Sequence, residues 1–228
     1  RFQKHQAIGS PGSSGSVFLA FDEELQCDVV VKVISKGVYK EEFKREIAHL
    51  TLLKHENIIA MLGYSQATAV DPAFVVFEPM HWDLFNVIHS FESIPNTSMV
   101  ISIFSKVCAA VEHCHAHQIA HLDIKPENIL LSHDLETVKL CDFGGSSHWL
   151  SQSALVMELS STIEYAAPEV VSMHPFSGDK ADMWSLGIML HVLFTGNWPH
   201  KGRNQQQTLE NLKKGKISIS HSIPPEYD

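Results

Sequence analysis

The chain has 228 residues, enough for one sizeable domain or two modest lobes, and its 17 basic and 26 acidic side chains give a net charge of −9. That balance argues against a general nucleic-acid or anionic-membrane surface and leans weakly toward basic partners. Cys27, Cys108, Cys114 and Cys141 show no Cys-x-x-Cys spacing, the start RFQKHQAIG has no apolar signal core, and no apolar run reaches membrane-span length. A soluble, reduced, cytoplasmic or nuclear protein is therefore expected.

Residues 1–78 alternate turn signals with β-rich runs at 17–21, 27–34 and 74–77 around one helical segment, the pattern of a twisted sheet with a helix packed on it. Residues 8–21, IGSPGSSGSVFLAF, place three glycines and five serines and prolines before a strand. Such a loop leaves backbone N–H groups free for phosphate oxygens, although a Gly-Ser tract alone is more commonly a linker. In the run 29–34, VVVKVI, Lys32 sits at the centre of a strand that should be buried, and a buried ammonium needs a carboxylate. The next helix supplies one, since Phe43, Glu46, Ile47 and Leu50 fall at i, i+3, i+4 and i+7 and put Glu46 on the inward stripe. By itself this is equally a structural ion pair.

Pro79 ends the strand 74–77 and places a boundary within residues 78–82. From Asp83 onward the chain reads as mainly helical. Val100, Ile103, Phe104, Val107, Cys108, Val111 and His115 form one apolar stripe. This leaves His113 and His117, four apart, on the flank of a surface helix, and a metal site there would want further Cys or His ligands nearby. Residues 121–131, HLDIKPENILL, bring His121, Asp123, Lys125 and Asn128 together in a loop ahead of a short buried strand. A second short strand, 138–141, follows the turn 132–134 and delivers Asp142 before Phe143 and Gly144. Asp142 and Asn128 are oxygen ligands suited to Mg²⁺ held partly by substrate phosphates.

Taken in order, the glycine-rich loop at 9–17, Lys32, Glu46, HLDIKPEN at 121–128, Asp142-Phe143-Gly144 and Ala167-Pro168-Glu169 resemble the eukaryotic protein kinases over essentially the whole chain. Lys125-Pro126-Glu127-Asn128 resembles the serine/threonine branch, and residues 182–187, DMWSLG, resemble the family's central buried helix. The resemblance implies an α+β bilobal fold with a β-rich lobe over 1–78, a hinge at 79–83 and a helical lobe over 84–228. It implies ATP:protein phosphotransfer to Ser/Thr hydroxyls with ATP and Mg²⁺, and protein substrates as partners. The backbone of Gly9, Gly12 and Gly15 would cover the phosphates, with Lys32 on the α- and β-phosphates, oriented by Glu46. Asp142 and Asn128 would hold Mg²⁺, Asp123 would take or orient the hydroxyl proton, and Lys125 would steady the γ-phosphate. Phe77 is similar to a gatekeeper, Glu78 to Met80 to an adenine-binding hinge, and Val17, Val30 and Leu130 to the apolar surfaces around the ring. A regulatory apolar column would run through Leu50, Leu62, His121 and Phe143.

The chain departs from that family in several places. Ser10 stands at the first loop glycine with Gly9 one residue early, Ser14 replaces an aromatic tip, and Val30 stands where alanine is common. The chain ends before the helices that complete the large lobe in the family, so it reads as a fragment or a truncated member in which Glu169 lacks its arginine. Leu122 replaces the arginine that pairs with a phosphorylated activation segment, and Arg1, Arg45 and Arg203 are the chain's only arginines. The candidate phosphosites are Ser151, Ser153, Ser160 and Ser161; activity independent of their phosphorylation is expected, with control from flanking segments or partners. Glu127 and Glu164 suggest substrates with basic residues beside the acceptor. The alternative is a pseudokinase-like ATP-binding scaffold. A small-molecule kinase is disfavoured by Ala167-Pro168-Glu169.

Overall fold

β-branched residues dominate the centre of the first sheet. β1 (Phe2–Gly12), β2 (Gly15–Asp22), β3 (Cys27–Ile34), β4 (Met61–Ser65) and β5 (Ala73–Phe77) form an antiparallel sheet in the order β1-β2-β3-β5-β4. The computed structural model describes residues 1–12, 15–34, 40–68, 72–90, 96–148, 163–172 and 174–219. Alternation along β3 sends Val29, Val31 and Val33 to an outer apolar layer with Phe2, Phe18, Phe74 and Val76. Val30 and Ile34 face the main core instead. Helix α1 (Lys40–Leu52) lies on that inner face, with Phe43 and Leu50 buried and Glu41 and Glu42 in its first turn, where acidic charge favours the helix dipole.

The segment after α1 is fastened to the helical lobe. Asn57 Nδ2 donates to the Val138 carbonyl at 3.0 Å, the Leu140 amide donates to Asn57 O at 2.8 Å, and the Ile59 amide donates to Leu140 O at 2.9 Å. Glu78 adds a bridge, its Oε1 accepting from the Ala60 amide at 2.8 Å and lying 2.9 Å from Lys139 Nζ.

Beyond Glu78, β6 (Trp82–Asp83), β8 (Ile129–Leu131) and β9 (Val138–Leu140) make a small sheet, and β7 (Ile119–Ala120) pairs with β10 (Ser147–His148). The helices are α2 (Leu84–Ser90), α3 (Thr97–Ala116), α4 (Pro168–Val171), α5 (Gly178–Thr195) and α6 (Gln205–Lys213). Asn96 caps α3 by accepting from the Met99 amide, and α5 stops at Gly196, whose φ of 66° suits glycine. One core runs without a break from Phe43, Leu50 and Phe77 through Phe143 to Leu186 and Met189. Among the described residues no helix is long and apolar enough to cross a membrane.

Two strands of the first sheet are absent from the sequence reading, as are the two-residue strands β6, β7 and β10. β1 is a largely exposed edge strand without a clean apolar alternation, and β4 is interrupted by Gly63 and a bulge between Met61 and Gly63. The bulge corrects the expectation for Leu62: its side chain is 44 % exposed, and Met61 packs against the core in its place.

His113 is stacked between His55 and His117, with ring centroids at 4.9 and 4.5 Å, and His200 is 1 % exposed with neither ring nitrogen hydrogen-bonded. Burial lowers the pKa of His113 and His200, and brings His49 down to about 4. An imidazole that resists protonation in the folded state gives stability that is full above its unfolded pKa of about 6.5 and is lost as pH falls through the folded value. The urea midpoint should therefore drop between pH 7.5 and pH 5, and His200→Phe should flatten that drop. Equal midpoints at the two pH values would contradict this.

Candidate active site

Lys32 projects from β3 toward α1. Its Nζ lies 3.0 and 2.9 Å from the two carboxylate oxygens of Glu46 and 3.2 Å from Asp142 Oδ1. Glu46 is 2 % exposed, so its charge depends on this cation. Burial alone would lower the Lys32 pKa, but the charges of Glu46 and Asp142 outweigh it and raise it. Burial raises Glu46 against the pull of Lys32, whereas for Asp142 the nearby Lys32 charge overcomes burial and lowers it. The pair read from the sequence is thus a trio, with Asp142 brought in from the other lobe.

The loop 121–128 is organised by a carboxylate inside α5. Asp182 accepts from the His121 amide and the Leu122 amide, both at 2.8 Å, and its Oδ2 lies 2.9 Å from His115 Nε2. These bonds hold Leu122 at φ 65°, a left-handed conformation uncommon outside glycine, and Asp142 sits at φ 63°. His121 is buried, accepting at Nδ1 from the Asp123 amide at 3.3 Å and donating from Nε2 to the Cys141 carbonyl at 2.9 Å. Lys125 Nζ is 2.9 Å from Asp123 Oδ2, and Asn128 Nδ2 donates at 2.8 Å to both Asp123 O and Asp123 Oδ2. The Cys141 amide donates to Asn128 O at 2.9 Å, which ties this loop to the strand carrying Asp142.

The turn Phe143–Gly145 packs under α1. Phe143 is fully buried, its ring 4.8 Å from that of His121, and a Cβ on Gly144 would lie 3.7 Å from Glu42 Cβ. On the other side of Lys32, Val17 pairs with Lys32 and Val30 with Phe77 across the sheet. Phe77 is buried, and Val30, Met80 and Leu130 pack against the core beside it. The Glu78 amide is occupied by the Ala60 carbonyl at 3.1 Å. Gly12 and Gly15 face one another at the end of the β1–β2 hairpin, whose register shifts between Ile8 and Gly12, around Gly9.

The family model described as "Protein kinase domain" matches residues 2–227. The chain belongs to the protein kinase domain family. It is 32 % identical over 219 residues to the carbon catabolite-derepressing protein kinase of Saccharomyces cerevisiae, covering 94 % of this chain and 34 % of that protein. It is also 35 % identical over 221 residues to the SNF1-like protein kinase ssp2 of Schizosaccharomyces pombe, covering 95 % of this chain and 37 % of that protein. With CBL-interacting serine/threonine-protein kinase 15 of Arabidopsis thaliana it shares 31 % identity over 232 residues, 99 % of this chain and 54 % of that protein. This kinase domain therefore spans about a third of the length of the first of these relatives. Its sheet with one main helix and its helical remainder are the α+β bilobal arrangement of the family.

Several features of this kinase domain lie outside the sequence reading. Asp182 entered the sequence reading only as part of residues 182–187, DMWSLG, and its role as the anchor of two loop amides was not legible there. Leu122, the residue without charge, packs against the buried trio Ala167, Val170 and Ala181, as do Ala166, Phe176 and Trp184. Glu169 makes no ion pair among the described residues, while Glu127 keeps one buried oxygen, Oε2, without a hydrogen bond. Ser14 and the candidate phosphosites Ser151, Ser153, Ser160 and Ser161 lie outside the described residues.

Proposed function

We propose that this kinase domain transfers the γ-phosphoryl group of ATP to serine or threonine hydroxyls of protein substrates. The observation that carries the reading is the meeting of two charge networks: Lys32 shared by Glu46 and Asp142, and Asp123 held by Lys125 and Asn128. Transfer of a phosphoryl group asks mainly for positioning and neutralisation of charge, and these residues provide both. Lys32 would hold the α- and β-phosphates under the backbone of Gly9, Gly12 and Gly15. The adenine would lie between Val17, Val30 and Leu130, bounded by Phe77, with the Glu78 to Met80 hinge along its edge. Asp123 would orient the hydroxyl and receive its proton, and Lys125 would meet the γ-phosphate.

The donor set suits Mg²⁺. Asn128 commits its amide nitrogen to Asp123 and keeps its carbonyl oxygen, and Asp142 commits only Oδ1 to Lys32. Hard oxygen donors of this kind suit a cation that keeps several other oxygen ligands, and the bound ion would neutralise charge on the phosphates. The test is a radiolabelled ATP assay of the full-length protein on a mixed peptide library, with and without Mg²⁺. Absence of ATP binding in folded protein would overturn the enzyme reading, and tyrosine as the main acceptor would overturn the serine/threonine reading.

A preference for basic residues beside the acceptor is supported by Glu127 Oε2, buried without a partner, and by Glu164, whose charge together with that of Glu127 bears on Tyr165. A guanidinium reaching Glu127 would satisfy an oxygen that is costly to leave unpaired. Replacing flanking Arg by Ala in a peptide should lower kcat/KM about tenfold, and Glu127→Ala should abolish that difference. Equal rates on both peptides would remove this part of the proposal. The apolar seat of Leu122 supports control by flanking segments or partners rather than by phosphate on the activation segment.

A further inference from the structure

Helix α1 is tied to the segment after Asp142 at a second point, one turn beyond Glu46. His49 follows Glu46 by three residues and shares its face of the helix. Its ring is buried, and its Nδ1 lies 2.6 Å from Ser146 Oγ. That hydroxyl, itself fully buried, donates its only proton to the Phe143 carbonyl at 2.5 Å. The hydroxyl must therefore accept from His49, which fixes the neutral ring as the Nδ1–H tautomer. Immediately beyond, Ser147 and His148 pair with Ala120 and Ile119, next to His121, and the His148 ring stands edge-on to His49 at 5.4 Å.

We propose that the hydrogen bond from His49 to Ser146 is a second positioning contact, which holds α1, and with it Glu46 and Lys32, in register with Phe143 and Asp142. The proposal rests on the kinase reading of the site. The polar contact between Glu46 and Asp142 runs through the Lys32 ammonium at the end of a long, flexible side chain, and a single polar contact of that kind lets a packed helix pivot about it. A second contact three residues on, ending on backbone rather than on a long side chain, removes that pivot. The bond is also costly to break, because a buried hydroxyl oxygen and a buried ring N–H would each lose their partner. Leu122 makes the need specific to this chain. With no arginine there to answer a phosphorylated segment, α1 requires a hold that is built in, and His49 and Ser146 supply one.

The test compares full-length wild type with Ser146→Ala, His49→Leu, His49→Asn and the double variant His49→Leu/Ser146→Ala. The readouts are kcat, KM for ATP and deuterium uptake by the α1 amides. Ser146→Ala and His49→Leu should each lower kcat about tenfold, leave KM for ATP within about twofold and speed uptake over residues 46–50. The double variant should be no worse than either single one, since both remove the same bond. His49→Asn should recover kcat to within about twofold, because the asparagine Nδ2 stands the same number of bonds from Cβ as the imidazole Nδ1. Ser146→Ala deletes a single oxygen and keeps the test readable should His49→Leu fail to fold. Unchanged kcat and uptake in Ser146→Ala, effects that multiply in the double variant, or a His49→Asn as poor as His49→Leu would overturn the proposal. If no protein transfers phosphate, wild type included, the kinase reading fails and the uptake comparison alone decides the link.

Discussion

Asp123→Asn should lower the rate of phosphoryl transfer by about 10²- to 10⁴-fold, the range expected when a positioned acid–base group is lost. The substitution keeps the shape of the side chain, and its amide oxygen can still accept from Asn128 Nδ2, which now lies 2.8 Å from Asp123 Oδ2. It removes the charge that Lys125 faces at 2.9 Å and, in the proposed mechanism, the group that receives the hydroxyl proton. Nucleotide affinity should be nearly unchanged, because Lys32, Glu46 and Asp142 form a separate network. Single-turnover transfer and an ATP titration on the same preparation measure the two quantities. A rate within tenfold of wild type would show that Asp123 is not the proton acceptor.

Lys32→Met should have the second largest effect, and on two properties at once. Glu46 would be left buried without its cation, a loss on the order of 3–5 kcal/mol, moderated where the carboxyl can take up a proton. ATP binding should fall with it. The double variant Lys32→Met/Glu46→Leu separates the two consequences, since replacing both members of a buried pair by apolar residues is commonly near neutral for stability. It should recover most of the urea midpoint while staying inactive. If the single variant proves as stable as the double one, Glu46 is better solvated than its burial implies.

The Lys32 and Glu46 pair was legible because each residue violates its local pattern: a lysine amid valines and a glutamate on an apolar stripe. Asp142 was not legible as the third member of that pair, since its approach depends on the closure of one lobe on the other. The misplacement of Leu62 has a simple cause. Leu62 was placed by the resemblance alone, and the bulge between Met61 and Gly63 shifts the register so that Met61 packs inward instead. β1 was hidden because an exposed edge strand need not carry an apolar stripe. Nothing local marks His49 or Ser146 either. A histidine and a serine 97 positions apart in the chain become informative only when the fold brings them to within hydrogen-bonding distance.

Asp182 lies four residues into α5, and from there it holds the amides of His121 and Leu122. An α-helix turns about 100° and rises about 1.5 Å per residue. One residue inserted between Gly178 and Asp182 would swing the carboxylate off the loop or force the rest of α5 out of its seat. The same insertion past Gly196, where the helix has already ended, would be taken up by the turn toward α6. Length variation among natural versions of this chain should accordingly be absent from the first turns of α5 and tolerated just beyond its end, although neither segment contributes an atom to the reaction.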